Sequence, residues 1–314
     1  MTETEGHVDF RTYRTWYRVT GRIDPDGHRA PVVLLHGGPG ATHDYLDAMR
    51  GLAADGLAAD GRAVVQYDQL GNGASTHLRE AGAGFWTVEL FCEELDNLLA
   101  ALGIGGRYHL LGQSWGGCLA QEHALRQPPG LRSLVLADTL ASIPDFVAEC
   151  NRLRSQLPED VQAALDRHER AGTTEDPEYA EACMVFYRRH LCRLEEWPDE
   201  LLRSFQAMQD DPTVYGTMNG PSEFHVIGTI RDWQVLDRLA EIRVPALIVS
   251  GRYDETTPAL QEALLAGIRG SEWVCFERSA HVPHVEETER WLEVVGGFLR
   301  RVEDGGAVVA GRLG

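Results

Sequence analysis

The hydrophobic pattern from residue 31 onward consists of short apolar runs separated by longer stretches with helical periodicity. The runs are PVVLL (31–35), AVVQY (63–67), YHLLG (108–112), LRSLVLA (131–137), VPALIVSG (244–251) and EWVCF (272–276). They are nearly continuous rather than alternating, which is typical of strands in a parallel sheet that helices cover on both faces. The pattern therefore predicts an α/β protein with a mostly parallel central sheet.

Two flanking segments differ from this pattern. The segment FRTYRTWYRVT (10–20) is rich in β-branched and aromatic residues, which favour strands, and it predicts an antiparallel hairpin at the edge of the sheet. The last ten residues, 305–314, are rich in glycine and predict a loose tail.

The strand pattern is interrupted between residues 141 and 231, where charged helical patterns such as PEYAEACMVFYRRHLCRL (177–194) dominate. This insertion begins directly after an apolar run and ends before the next one, so it emerges where the carboxyl ends of the strands lie. Ligands of open α/β sheets bind at that edge. We therefore expect residues 1–140 and 232–314 to form the core and residues 141–231 to form a helical cap.

The clearest chemical motif is GQSWG, at residues 112–116, which lies between a predicted strand and a predicted helix. In that context G-x-S-x-G marks a tight turn that exposes a serine hydroxyl at the positive end of a helix. Ser114 is the candidate nucleophile.

A serine nucleophile needs a base, and the base needs an acid that orients it. Asp254 follows one predicted strand in SGRYDETTP, and His281 follows the next strand in ERSAHVPH. Both therefore stand at the same edge of the sheet as Ser114, in the chain order serine, acid, histidine. His284, three residues further on, is the alternative base.

Hydrolysis of an amide or ester also requires hydrogen-bond donors for the oxyanion of the tetrahedral intermediate. The glycine-rich segment HGGPG (36–40) follows the first apolar run, and it allows the backbone to approach a ligand closely. The backbone N–H groups of Gly38 and Trp115 are the expected oxyanion hole.

Taken together, HGGPG, YDQLGNGAS (67–75), GQSWGG, GRYDETTP and SAHVPH resemble the proline iminopeptidase family of α/β-hydrolases. That family contains serine aminopeptidases, including the tricorn-interacting aminopeptidase, and related amino-acid amidases. The resemblance extends from about residue 31 to residue 300 and implies an α/β-hydrolase fold with a helical lid.

The same resemblance implies two substrate-binding glutamates. Glu223, in NGPSEF (219–224), matches a lid motif whose glutamate binds the free α-amino group of the substrate, and Glu255, next to Asp254, is the second. A charge-assisted hydrogen bond to an ammonium contributes about 1.5–3 kcal/mol, so such a pair selects substrates with a free amino terminus.

Charge and composition exclude several other functions. The chain has 29 basic residues, all of them arginine, against 48 acidic residues, for a formal charge of −19. This charge disfavours nucleic acid as a partner, and the lack of lysine excludes Schiff-base chemistry. No apolar stretch is long enough to span a bilayer, so we expect a cytoplasmic protein that does not bind membranes.

The cysteine and histidine patterns indicate neither disulfides nor metals. The six cysteines form no CxxC pair, and the 12 histidines form no HExxH motif. We therefore expect reduced thiols and no metal or cofactor.

These observations predict a serine aminopeptidase that acts on a small peptide through an acyl-enzyme. An amidase or esterase that removes an aminoacyl group from a small-molecule amine fits the same residues. A non-catalytic binding protein on a hydrolase scaffold is the third alternative. The sequence leaves the preferred N-terminal residue, the pathway and the oligomeric state open.

Overall fold

The computed structural model describes residues 2–24, 27–53, 61–306 and 310–313. Its centre is a nine-stranded sheet with the strand order β1-β2-β4-β3-β5-β6-β7-β8-β9. In chain order the strands are β1 (Glu3–Phe10), β2 (Tyr13–Thr20), β3 (Val32–Leu35), β4 (Val64–Tyr67), β5 (Tyr108–Gln113), β6 (Leu131–Ala137), β7 (Ala246–Gly251), β8 (Glu272–Phe276) and β9 (Gly311–Leu313).

Strands β3 to β8 coincide with the six apolar runs and pair in parallel, which confirms the predicted sheet. Both faces of these strands are covered. In β3, Val33 and Leu35 belong to one buried apolar cluster, whereas Val32 and Leu34 belong to the cluster on the opposite face. Burial on both faces explains why the runs are continuous rather than alternating.

The strands at the two edges of the sheet, β1 and β9, differ in part from the predicted hairpin and the predicted tail. The predicted hairpin is present, but its first strand is β1, which lies almost entirely before residue 10 and pairs with β2 from Glu3↔Thr20 to Phe10↔Tyr13. At the opposite edge, β9 pairs in parallel with β8, so the prediction of a loose tail is wrong for residues 311–313. Residues 307–309 and 314 of that predicted tail lie outside the described residues.

Ten α-helices surround the sheet in the described part of the chain. They are α1 (Val88–Ala101), α2 (Trp115–Leu125), α3 (Ile143–Arg154), α4 (Glu159–Ala171), α5 (Pro177–His190), α6 (Asp199–Asp210), α7 (Thr213–Met218), α8 (Pro258–Gly267), α9 (Pro283–Glu286) and α10 (Thr288–Glu303). Helices α1 and α3 are each capped at the N-terminus by a side-chain hydroxyl. Thr87 accepts a hydrogen bond from the Leu90 N–H, and Ser142 accepts one from the Asp145 N–H. Among the described residues, no helix has the length and apolar character required to cross a bilayer.

Helices α3 to α7 lie between β6 and β7, in the segment predicted to be helical. The two ends of this segment are hydrogen-bonded to each other. The N–H of Ile143 donates to the carbonyl of Trp233 at 2.9 Å, and the N–H of Val235 donates to the carbonyl of Ala141 at 2.8 Å. The two ends of the helical segment therefore lie side by side, a few residues beyond the carboxyl end of β6. The division into core and cap stays a prediction.

Candidate active site

Ser114 lies at the turn between β5 and α2, with φ 55° and ψ −124°. This backbone conformation is strained for a residue with a side chain and is typical of functional turns. The Ser114 N–H donates to the carbonyl of Ala137 at 2.9 Å, and the Thr139 hydroxyl donates to the Ser114 carbonyl at 2.7 Å. Bonds to the neighbouring strand thus hold the turn in place.

The two glycines of the motif allow this turn to pack closely. A Cβ atom on Gly112 would lie 2.1 Å from the carbonyl oxygen of Gly116. A Cβ atom on Gly116 would lie 2.0 Å from the carbonyl oxygen of Leu35. Neither position has room for a side chain, since backbone atoms cannot move aside, so the glycines are required by packing.

Asp254 and His281 are joined across the loops that follow β7 and β8. Nδ1 of His281 lies 2.7 Å from Oδ1 of Asp254, and both residues are buried. The N–H and the hydroxyl of Thr256 also donate to the Asp254 carboxylate, at 2.8 and 2.6 Å. Because the Nδ1–H is used by the carboxylate, Nε2 of His281 is the nitrogen that can accept a proton.

His281 and Ser114 line the same cavity. Within the described residues, the Ser114 hydroxyl forms no hydrogen bond with His281, and Nε2 of His281 instead lies 3.7 Å from Oε1 of Glu255. Catalytic hydrogen bonds of free enzymes are often long and shorten when substrate binds.

His284, the alternative base, is placed differently. Its Nε2 lies 3.0 Å from the backbone carbonyl of Tyr45, to which it donates. Burial lowers the pKa of His284 to about 3, and the side chain does not line the cavity. The structure therefore places His281, and not His284, beside Asp254 and the cavity.

The expected oxyanion donors both face the cavity. Gly38 and Trp115 line it, and in the described residues neither backbone N–H takes part in a hydrogen bond. The Trp115 N–H is the first of helix α2, where N–H groups have no partner within the helix. Two donors are thus available to a ligand next to Ser114.

A chain of hydrogen bonds that the sequence did not reveal joins the loops of the site. The Gly37 N–H donates to the Tyr45 hydroxyl at 2.6 Å, and that hydroxyl donates to Oε1 of Gln113 at 2.6 Å. The side-chain amide of Gln113 then donates to the carbonyl of His281 at 2.9 Å. Tyr45 and Gln113 therefore hold the glycine-rich loop, the serine turn and the histidine loop at fixed separations.

Glu223 is held by two tyrosines of the helical segment. The hydroxyls of Tyr187 and Tyr215 donate to its two carboxylate oxygens at 2.5 and 2.6 Å. Burial raises the pKa of both tyrosines well above the usual value, and the charge of Glu223 is the second cause. Both hydroxyls therefore remain protonated donors. This arrangement fixes a half-buried carboxylate at the cavity wall.

Glu255 is buried and has an unsatisfied oxygen. Its Oε2 has no hydrogen-bond partner among the described residues. Burial raises the pKa of Glu255 well above its usual value, and the neighbouring carboxylates of Glu223 and Asp254 raise it further. A cation placed between Glu223 and Glu255 would reverse this effect and stabilise the ionised form.

The cavity has a volume of about 550 Å³, and every predicted site residue except Asp254 contributes to its lining. Helix α6 supplies much of one wall, through Leu201, Phe205 and Met208. Among the described lining residues the carboxyl groups are those of Glu175, Glu223 and Glu255, and there is no arginine. The cavity thus combines an apolar wall with a negative potential.

Comparison with known proteins shows the family of this chain. Residues 30–288 match the family model of the α/β hydrolase fold. Proline iminopeptidases of Saccharolobus solfataricus and Clostridium botulinum are 38% and 37% identical to this chain over 290 and 304 residues. These alignments cover 92% and 96% of this chain, and 89% and 99% of the two relatives.

Two solved structures are similar over almost the whole chain. The crystal structure of VinJ has a TM-score of 0.91 at 52% identity, and it is matched over 95% of this chain and 99% of VinJ. The proline iminopeptidase of Mycobacterium smegmatis has a TM-score of 0.87 at 43% identity, with 96% and 99% of the two chains covered. The chain therefore belongs to the proline iminopeptidase family of α/β hydrolases.

Proposed function

We propose that this protein is a serine aminopeptidase that hydrolyses the amide bond after a free N-terminal aminoacyl residue, as a prolyl aminopeptidase does. One observation carries the proposal: Ser114, His281, Glu223 and Glu255 line one cavity, and Asp254 is bonded to His281 behind it. The relatives named proline iminopeptidase support proline as the residue released.

In acylation, the Ser114 hydroxyl adds to the carbonyl carbon of the first residue while Nε2 of His281 takes its proton. Asp254 stabilises the imidazolium, and the N–H groups of Gly38 and Trp115 donate to the oxyanion. The imidazolium then protonates the leaving nitrogen and the C–N bond breaks. Water, activated by His281, hydrolyses the acyl-enzyme and restores the serine.

The carboxylates of Glu223 and Glu255 bind the substrate ammonium. The ammonium takes the place of the proton that burial favours on Glu255, and it attracts this carboxyl group, which in the free site lies near Nε2 of His281. Binding thus leaves Nε2 free for the Ser114 hydroxyl. Because the ammonium and the reacting carbonyl belong to the same residue, cleavage is limited to the bond after the first residue.

We assign residues 141–231 the role of a cap over this site. Glu223 and its partners Tyr187 and Tyr215 come from this segment, whereas Ser114, Asp254 and His281 come from residues 1–140 and 232–314. The amine site is therefore shared, because Glu223 comes from the cap segment and Glu255 from the part of the chain that carries the triad, and the fit between the two parts sets which first residue is accepted.

The proposed function is tested with chromogenic anilides of proline, alanine and leucine, each compared with its N-acetyl derivative. We expect turnover of the free-amino substrates, with the prolyl anilide best, and a kcat/KM at least about tenfold lower after acetylation, which corresponds to about 1.4 kcal/mol of lost binding. Equal turnover of the two sets would show that the enzyme is not an aminopeptidase.

A second candidate function, removal of an aminoacyl group from a small-molecule amine, is favoured by the charge of the cavity. A dipeptide with a free carboxylate brings a negative charge into a lining that contains acidic residues and, in the part of the chain described, no arginine. A leaving amine without charge avoids this repulsion and can pack against the apolar residues of α6.

A matched pair of substrates tests this preference, namely a prolyl dipeptide and the same dipeptide with its carboxyl group amidated. We expect the amidated form to have a kcat/KM about tenfold higher, because one unpaired charge is removed. Faster turnover of the free acid would assign the enzyme to dipeptides instead. Measurements at 0.05 and 0.5 M salt check the cause, since an electrostatic preference decreases with ionic strength.

A further inference from the structure

Asp138 is a buried carboxyl group that the mechanism above does not use. It follows β6 directly, with φ 48° and a side chain that is 0% exposed. Its N–H donates to the carbonyl of Val249 in the adjacent strand β7 at 2.8 Å. The backbone thus fixes Asp138 at the adjacent ends of β6 and β7, where the loop that carries Asp254 begins.

The hydrogen bonds of Asp138 and Asp254 are unequal. Asp254 accepts three, from Nδ1 of His281 and from the N–H and hydroxyl of Thr256. Asp138 accepts one, from the Gly251 N–H to Oδ1 at 3.2 Å, and its Oδ2 has no partner among the described residues. The carboxyl group facing Asp138 within hydrogen-bonding reach is that of Asp254.

Two buried carboxylates in contact are unfavourable unless one carries a proton. The proton is expected on the carboxyl group that accepts fewer hydrogen bonds. Three donors stabilise the negative charge of Asp254, whereas a single donor stabilises a charge on Asp138 only weakly. With a proton on Oδ2, which otherwise has no partner, Asp138 can also donate a hydrogen bond. We propose that Asp138 is a neutral carboxylic acid that donates a hydrogen bond to the Asp254 carboxylate and so acts as a positioning residue for the triad.

The surroundings of Asp138 are consistent with a neutral group. Burial is the main cause that raises its pKa well above the usual value, followed by the charge of Asp254, and Glu286 of α9 acts in the same direction. The hydroxyl of Tyr45 is a further titratable neighbour, and burial is the main cause that raises its pKa.

The inference rests on the proposed hydrolase function and deepens it. A neutral donor disperses part of the charge of Asp254 and holds the carboxylate in the orientation that His281 requires. Without the donor, Asp254 presents a more concentrated negative charge to His281, which favours the imidazolium over the neutral base. If Asp138 were instead ionised, removal of its negative charge would favour the neutral imidazole.

Asp138→Asn and Asp138→Leu test the proposal through the pH dependence of kcat/KM. The amide of Asp138→Asn can donate the same hydrogen bond, so we expect kcat within about threefold of the parent enzyme and an unchanged acidic limb of the profile. Asp138→Leu has no donor, and we expect a kcat about tenfold lower, a similar KM and an acidic limb at higher pH. An acidic limb at lower pH in both variants would overturn the proposal, as would unchanged limbs in both.

Infrared difference spectra give a test that does not depend on activity. At pH 8 the wild type minus Asp138→Asn spectrum should contain the C=O stretch of one protonated carboxyl group, whereas an ionised Asp138 would give carboxylate bands and overturn the proposal. Because this measurement needs only folded protein, it separates failure of the inference from failure of the proposed function. It also remains decisive if Asp138→Leu does not fold.

Discussion

Ser114→Ala is expected to abolish turnover of prolyl anilides, with kcat lower by about 10⁶-fold, because no other group can form the acyl-enzyme. A fluorophosphonate probe should label the wild type at Ser114 and leave the variant unlabelled. The fold should be retained, since alanine removes only the hydroxyl, and this hydroxyl makes no hydrogen bond to His281 in the described residues. Circular dichroism and thermal unfolding verify this point.

Ser155→Ala is the matched control for this experiment. The Ser155 hydroxyl donates to the Arg152 carbonyl at 2.7 Å on the exposed side of the helical segment. We expect full labelling and activity within about twofold of the wild type, since exposed substitutions of this kind change little. Labelling of Ser114→Ala at the wild-type rate would remove Ser114 as the nucleophile and favour a binding protein on a hydrolase scaffold.

The part of the fold that the sequence predicted well is the part buried on both faces. Strands β3 to β8 must be apolar at every position, so each is visible as a continuous run. The serine turn was equally visible, because the close approach of Gly116 to Leu35 allows only glycine. Strong local constraints of this kind leave a signature in the local sequence.

The two edge strands lacked such a constraint. Strand β1, with the sequence ETEGHVDF, is mostly exposed and polar, so its composition does not differ from that of a loop. Strand β9 has only three residues, which is too short for a hydrophobic pattern to be recognised, although it pairs with β8. Tertiary context decides such edges, and the local pattern does not.

The supporting hydrogen bonds of the site were also not predictable. Tyr45 and Gln113 lie 68 positions apart, and Gln113 reaches His281 over 168 positions. No local motif encodes such contacts, since they exist only after the sheet has brought the loops together. Asp138 was missed for a related reason, because a carboxyl group after a strand resembles an ordinary turn residue until its burial is known.

Glu223→Gln has the second largest expected effect, since it removes the charge that two tyrosines orient toward the substrate ammonium. Loss of a charge-assisted hydrogen bond of about 1.5–3 kcal/mol lowers kcat/KM for prolyl anilide by about 10- to 150-fold. The activity toward N-acetylated substrates and simple esters should stay near that of the wild type, because these compounds carry no ammonium. The ratio of the two activities is therefore the quantity to measure.

Glu175→Gln provides the control for this charge, because Glu175 also lines the cavity but is exposed. If the cavity attracts the ammonium only through its overall negative potential, the two variants should lose similar activity, and salt should reduce both losses equally. If Glu223 binds the ammonium directly, only Glu223→Gln should lower the ratio, and Glu175→Gln should stay within about twofold of the wild type. An equal loss of aminopeptidase and esterase activity in Glu223→Gln would instead make Glu223 a structural partner of Tyr187 and Tyr215.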